Sequence, residues 1–278
     1  MQLQLGQRTL DLSQPRVMGV LNRTPDSFSD GGLFTDFDAA LRQAVKMMEE
    51  GADILDIGGE STRPGAHAVS AEQELDRVIP LIERLSREID VPVSIDTSKP
   101  EVMREAVHAG AAMINDVYAL RLPGAVETAR ECKVPVCLMH MQGEPRSMQK
   151  NPHYGNVVVE VKQFLDDRIR MCEASGIPRA SLLIDPGFGF GKTLEHNLEL
   201  LRHLRDFTSL GYAVLVGLSR KSSIGSLLGG APSDQRLQGS IAAAVVAVLH
   251  GAHIVRTHDV KPTVEALIVA SAVRVPGC

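Results

Sequence analysis

The chain has 278 residues, 44% of them hydrophobic and 23% charged, which suits one soluble α/β domain with a sizeable core and excludes a disordered or fibrous protein. A formal net charge of −5 argues against a nucleic-acid partner, which usually calls for a basic face. The longest apolar run, Ile241 to Leu249, is too short to span a bilayer.

The opening MQLQLGQRTLDL has no basic segment followed by an apolar stretch, so no signal peptide is expected. The four cysteines form no CxxC pair, and Cys137 sits in the apolar run VPVCLMH, as a free thiol in a reducing compartment would. A cytoplasmic protein is the expectation.

Along the chain one unit recurs: a short β-rich apolar run, a polar or Gly-rich loop, then an amphipathic helix. The runs are RVMGVL, ADILDIG, VPVSIDT, AMINDV, VPVCLMH, SLLID, AVLVGL and AHIVRTH. Ser70 with Gln73 and Ser98 with Glu101 have the spacing of capping boxes. Gly51, Gly110, Gly176 and Gly251 follow helical stretches, where a glycine closes a helix at low cost. Strict βα alternation predicts a parallel sheet, and eight repeats predict a closed (β/α)8 TIM barrel, one domain over residues 1–278. The competing arrangement is an open, doubly wound sheet.

A barrel predicts that the chemistry lies at the C-terminal ends of the strands. Nearly every run ends in something polar: Asn22, Asp56, Asp96, Asn115, His140, Asp185, the triplet Ser219-Arg220-Lys221, and Arg256 with His258. One such aspartate could simply cap the next helix. A ring of them would be costly as buried packing, and points to an enzyme.

The stretch DPGFGFGKT, from Asp185 to Thr193, resembles a phosphate cradle at first sight. A P-loop needs four residues between its glycines, and counting back from Gly191-Lys192-Thr193 puts the required glycine on Pro186. GxGxxG fails as well. The glycines therefore read as a tight turn beside Asp185, with Phe188 and Phe190 offering aromatic faces and Lys192 expected to be solvated. Two long loops, Leu21 to Gly32 and Asp56 to Ala66, are rich in Gly, Pro and Ser, a composition typical of mobile covers or disordered connectors.

In this order, NRTPDSFSDGG, GGESTRPGA, SIDTSKP, INDV, LMHMQG, LIDPGFGFGK, GLSRKS and RTHDV resemble the dihydropteroate synthases of the bacterial folate pathway. The likeness runs from about Val17 to the last helix. It implies a barrel that joins 6-hydroxymethyl-7,8-dihydropterin diphosphate to 4-aminobenzoate, releasing diphosphate with Mg²⁺ present. Arg23 departs from the family pattern, which usually has a small aliphatic residue there; Asn22 and Thr24 keep it.

The resemblance also implies roles. A pterin presents a guanidine-like edge of N–H donors, for which a carboxylate is the natural acceptor. That acceptor would be Asp185, with Asn115 and Asp96 on the other edge, Lys221 at the ring carbonyl, and Met139 and Phe190 as walls. Arg256 and His258 would meet the diphosphate, and Asn22 would help to place Mg²⁺, which keeps waters and phosphate oxygens. Asp96, Lys221 and Arg256 are the expected catalytic groups. Ser222 would receive the 4-aminobenzoate carboxylate at a helix N-terminus, with Ser219 also on that substrate, under Phe28, Thr62, Arg63 and Pro64 from the two loops. Sulfonamides would compete there, and the last helices would form a homodimer. A corrinoid-dependent methyltransferase shares the Asp/Asn/Asp pterin pocket; the SRKS motif and the two loops favour the synthase. A binding-only paralogue would be expected to lack Arg256, Lys221 or the loop residues, all of which are present.

Overall fold

The computed structural model describes residues 1–22, 33–61 and 68–273. It opens with an antiparallel hairpin, β1 (Gln2–Leu5) and β2 (Arg8–Asp11). Eight parallel strands follow: β3 (Arg16–Asn22), β4 (Ile54–Gly58), β5 (Val93–Asp96), β6 (Met113–Asp116), β7 (Val136–Met139), β8 (Leu182–Asp185), β9 (Ala213–Gly217) and β10 (Ile254–Thr257). They pair in sequence order, and β10 pairs with β3. That pairing closes the barrel and excludes the open sheet.

The helices between the strands are α1 (Leu33–Glu49), α2 (Ala71–Glu88), α3 (Pro100–His108), α4 (Ala125–Cys132) and α5 (Val157–Ala174), then α6 (Leu194–Arg202) and α7 (Leu204–Thr208). After β9 come α8 (Ser222–Leu227) and α9 (Leu237–Leu249), and α10 (Val260–Val273) follows β10.

Strand alternation sorts the apolar residues into two cores. Leu55, Ile95, Ile114, Leu138, Ile184 and Val216 face outward, in one cluster with Val78, Leu81, Ile82 and Leu85 of α2. Met18, Ile54, Met113, Leu183, Leu215 and Ile254 face inward and join Leu3, Leu5 and Leu12 of the N-terminal segment. The hairpin thus covers the floor of the barrel, a role the sequence reading did not assign. Full burial of each leucine contributes roughly 2 kcal/mol.

Ser70 and Gln73 form the expected capping box at α2, and the four helix-closing glycines all take positive φ. The box expected from Ser98 and Glu101 does not form: α3 begins at Pro100, after Lys99, with no side-chain cap. Pro100 brings no N–H to be capped, and the Ser98 hydroxyl instead donates to the buried Asp116 carboxylate.

Candidate active site

The sheet register brings the polar strand ends to one mouth. Asn22 lies beside Gly58, Gly58 beside Asp96, and Asp96 beside Asn115. Met139 is level with Asp185, and Gly217 with Arg256. Alternation therefore sends one inward layer into a shared cavity, lined by Asp96, Asn115, Met139, Asp185, Phe190, Lys221 and Arg256 together with Val117, Phe188 and Gly217. Seven residues expected on the pterin and its leaving group thus meet in one place.

Charge in this cavity is buried and paired. Arg256 donates from Nε to Asp56 Oδ2 at 2.6 Å and from Nη2 to Asp96 Oδ2 at 2.8 Å. Burial pushes the Asp96 carboxyl up to about 7, with Arg256 opposing and Asp56 adding to the rise. Burial also pulls the Lys221 ammonium down to about 8, against the attraction of Asp185. For Arg256 the two carboxylates outweigh burial and raise its pKa, so it stays a cation. Asp185 is raised by burial and held back chiefly by the Gly187 N–H, 2.7 Å from its Oδ1.

Lys221 donates to the Phe188 carbonyl at 2.7 Å and lies 4.0 Å from the Phe190 ring centroid. The space left in the cavity, about 20 Å³, is room for about one ordered water.

Lys192 corrects the sequence reading. It is 3% exposed rather than solvated. Its Nζ donates to the carbonyls of Gly187 at 2.8 Å and Phe190 at 3.0 Å, and to His140 Nδ1 at 2.9 Å. With the His140 carbonyl as a longer fourth contact at 3.4 Å, these acceptors occupy the three N–H groups of an ammonium. Burial drives the Lys192 pKa down, with Asp185 opposing. Burial and the Lys192 charge push His140 down to about 2, which keeps it a neutral acceptor. The glycines serve the same turn: Gly187 has φ +72°, and a side chain there would run into the His140 carbonyl. The stretch is an internally tied loop that presents Asp185 and Phe190, not a phosphate cradle.

At the rim, Ser219 Oγ lies 3.2 Å from the His258 backbone N–H that it accepts and 3.1 Å from His258 Nδ1. Ser222 is exposed at the start of α8. Gly58 lets its neighbours approach closely: a Cβ there would meet Asn22 Oδ1 at 3.2 Å and Asp96 Oδ2 at 3.7 Å. Among the described residues no three His, Cys, Asp or Glu side chains gather as a metal cage. Asp96 Oδ2 is taken by Arg256, and the Asn22 amide oxygen is of the type a hard, largely hydrated cation accepts. Arg23, Thr24, Phe28, Thr62, Arg63 and Pro64 lie outside the described residues.

Two groups of residues escaped the sequence reading. Asp56 was visible as a polar strand residue but received no role; it is 0% exposed, two residues inside β4, and bonds both Arg256 and Asn115. Lys99 pairs with Glu60 and, at 2.6 Å, with the buried Glu74. Inward alternation along DILDIG was the available signal for Asp56; nothing local marks the Lys99 pairs.

A family model described as pterin binding enzyme matches residues 18–258. The chain is 54% identical to the dihydropteroate synthase of Escherichia coli K12 over 264 residues, covering 95% of this chain and 93% of that relative. It is 53% identical to the Haemophilus influenzae dihydropteroate synthase, with 98% of each covered. The Yersinia pestis dihydropteroate synthase, solved with a sulfonamide drug, superposes with a TM-score of 0.94 at 52% identity, covering 99% of both chains. The Xanthomonas albilineans dihydropteroate synthase solved with 4-aminobenzoic acid gives 0.94 at 55% identity over 99% of both. The same enzyme with 7,8-dihydropteroate gives 0.90 at 52%, over 99% of this chain and 100% of that one.

Proposed function

The chain belongs to the pterin-binding enzymes and, within them, to the dihydropteroate synthases, and from that premise we propose how its barrel mouth divides the work. It is a transferase of folate biosynthesis: it joins 6-hydroxymethyl-7,8-dihydropterin diphosphate to 4-aminobenzoate, giving 7,8-dihydropteroate and diphosphate, and it is a sulfonamide target. The observation that carries the residue assignment is the single cavity shared by Asp96, Asn115, Asp185 and Lys221, with Arg256 across it.

The pterin edge binds Asp185, whose carboxylate already accepts one backbone N–H and has capacity for ring donors. Asn115 and Asp96 take the opposite edge. Lys221 turns from the Phe188 carbonyl to the ring's own carbonyl side, and Met139 and Phe190 form the walls. Arg256 leaves Asp96 for the diphosphate, assisted by His258 at the end of the same strand. Asn22, beside Gly58, supplies the protein oxygen for Mg²⁺, which when bound neutralises the diphosphate charge.

The C–O bond at the pterin methylene then breaks, with the electron pair leaving on the diphosphate. Asp96, freed of Arg256, is the anion closest to the developing cation at the ring. The aniline nitrogen attacks and loses its proton to solvent. No protein nucleophile is needed, so positioning and charge screening carry the rate. Ser219 and Ser222 receive the aminobenzoate carboxylate near the start of α8, and Phe28, Thr62, Arg63 and Pro64 cover its ring.

The same reading includes a homodimer and a cytoplasmic site of action. Val246 and Leu249 on α9 are each 39% exposed, and Ile268 and Val269 on α10 each 65%, an apolar face that suits a second copy. Cys132, Cys137 and Cys172 are unpaired thiols, as in a reducing compartment.

The test is diphosphate release from pterin diphosphate, 4-aminobenzoate and Mg²⁺, with calorimetric pterin binding to Asp185→Ala alongside. Loss of turnover and of pterin affinity in that variant is expected. Undiminished pterin affinity would sink the placement of the ring.

A further inference from the structure

We propose that Asp56 is a positioning residue for the condensation: it fixes the Asn115 amide with its oxygen toward the pterin and holds the Arg256 guanidinium in place to receive the diphosphate. Asp56 does not line the cavity and is fully buried, so it acts through its neighbours. One oxygen does both tasks. Its Oδ2 accepts from Asn115 Nδ2 at 3.0 Å and from Arg256 Nε at 2.6 Å, while Oδ1 has no partner among the described residues.

The first consequence concerns donors and acceptors. An ionised carboxylate can only accept, so the half of the Asn115 amide that faces it must be the NH₂. The reverse orientation would set two acceptor oxygens against each other at hydrogen-bond distance. Asn115 lines the cavity and therefore shows it an acceptor. With Asp96 and Asp185, the pocket becomes a set of three acceptors around a ring edge rich in N–H donors. Asp56 thus sets what Asn115 reads.

The second consequence concerns the cation. Arg256 has two anchors, Nε on Asp56 and Nη2 on Asp96, and only Asp96 faces the ligand. When the ring takes Asp96, the bond to Asp56 persists and leaves both Nη groups to phosphate oxygens, the fork that suits bidentate recognition. A guanidinium tied at Nε keeps its orientation while its outer face changes partner.

This inference rests on the pterin placement above, and the experiment separates the two. Binding of 6-hydroxymethylpterin and of pterin diphosphate is measured by calorimetry for the parent, Asp56→Asn, Asn115→Ala, their double variant and Asp185→Ala. Asp56→Asn should bind free pterin about tenfold more weakly, the size of one misdirected hydrogen bond, and pterin diphosphate more weakly still, with the KM for 4-aminobenzoate unchanged. In the Asn115→Ala background the same change should cost free pterin less than about twofold, because the group it orients is gone.

Asp56→Glu keeps the charge that Arg256 needs and displaces the oxygen by one methylene, so it covers the case in which the Asn variant does not fold; it too should lose free-pterin affinity. Parental free-pterin affinity in a folded Asp56 variant would overturn the inference, as would an undiminished loss without Asn115. If Asp185→Ala also binds pterin normally, the ring placement itself has failed.

Discussion

Replacing Lys192 by Met keeps most of the buried stem and removes the amine. The Phe190 carbonyl and His140 Nδ1 then lose the amine, at 3.0 and 2.9 Å in the parent, while the Gly187 carbonyl loses it at 2.8 Å but keeps the Phe190 N–H at 3.1 Å. Stranding a buried acceptor costs roughly 1–3 kcal/mol, so the gross loss for the first two is about 2–6 kcal/mol. Removing the ammonium also recovers its burial penalty, several kcal/mol, which leaves a net destabilisation on the order of 2 kcal/mol. For a chain of 278 residues that lowers the melting midpoint by about 3–4 °C.

The same loop carries Asp185, Phe190 and the carbonyl that holds Lys221, so pterin affinity should fall about tenfold. The His140 imidazole should titrate above its parental value of about 2, yet stay below 6.5, because burial acts on it more than the lysine charge does. Thermal melts, pterin calorimetry and histidine NMR read the three effects. A variant that melts and binds pterin like the parent would show that the loop holds itself and that the amine is incidental.

Three further outcomes can be checked. Because free Asp96 titrates near 7 and Lys221 near 8, kcat/KM for pterin diphosphate should fall below about pH 7 as Asp96 protonates and above about pH 8 as Lys221 deprotonates; a flat profile from pH 6 to 9 would contradict both roles. Leu5→Ala, in the hairpin under the barrel, should cost about 2–4 kcal/mol in denaturant melts with kcat unchanged in the folded fraction, whereas unaltered stability would mean that the hairpin is not part of the core. Phe28→Leu and Pro64→Ser should raise the ratio of sulfonamide inhibition constant to 4-aminobenzoate KM, since the drug extends beyond the substrate outline; an unchanged ratio in both would misplace the second substrate.

The barrel was legible because each strand is an apolar run, and five inward rows end in Asn22, Asp96, Asn115, Asp185 and Arg256 at the same mouth. The pterin-facing set followed from those ends once the motifs were joined. What escaped was made by long separations. Lys192 meets His140 across 52 positions, and neither segment alone tells a buried ammonium from a solvated one. Asp56 meets Asn115 across 59 positions and Arg256 across 200. Ser98 had the spacing of a cap, but tertiary structure set the Asp116 carboxylate beside its hydroxyl. The floor hairpin was hidden for a different reason: strands of four residues give too little alternation to stand out before the surface they cover is known.

The strand that closes the barrel also carries the cation that neutralises the buried acids, and this bears on how the chain is made. Strand β3 leaves the ribosome about 240 residues ahead of its partner β10, a delay of roughly 10–50 s at ordinary synthesis rates. Joining ends so far apart costs about 5 kcal/mol of chain entropy from the length term alone. Until Arg256 emerges, Asp56 and Asp96 have no guanidinium to share, so a nascent sheet that tried to bury them would strand two negative charges. Premature closure is thereby opposed, and a message truncated before β10 yields a chain without a closed barrel rather than a partly active enzyme. Completion of translation, burial of the two carboxylates and competence to bind pterin become one event.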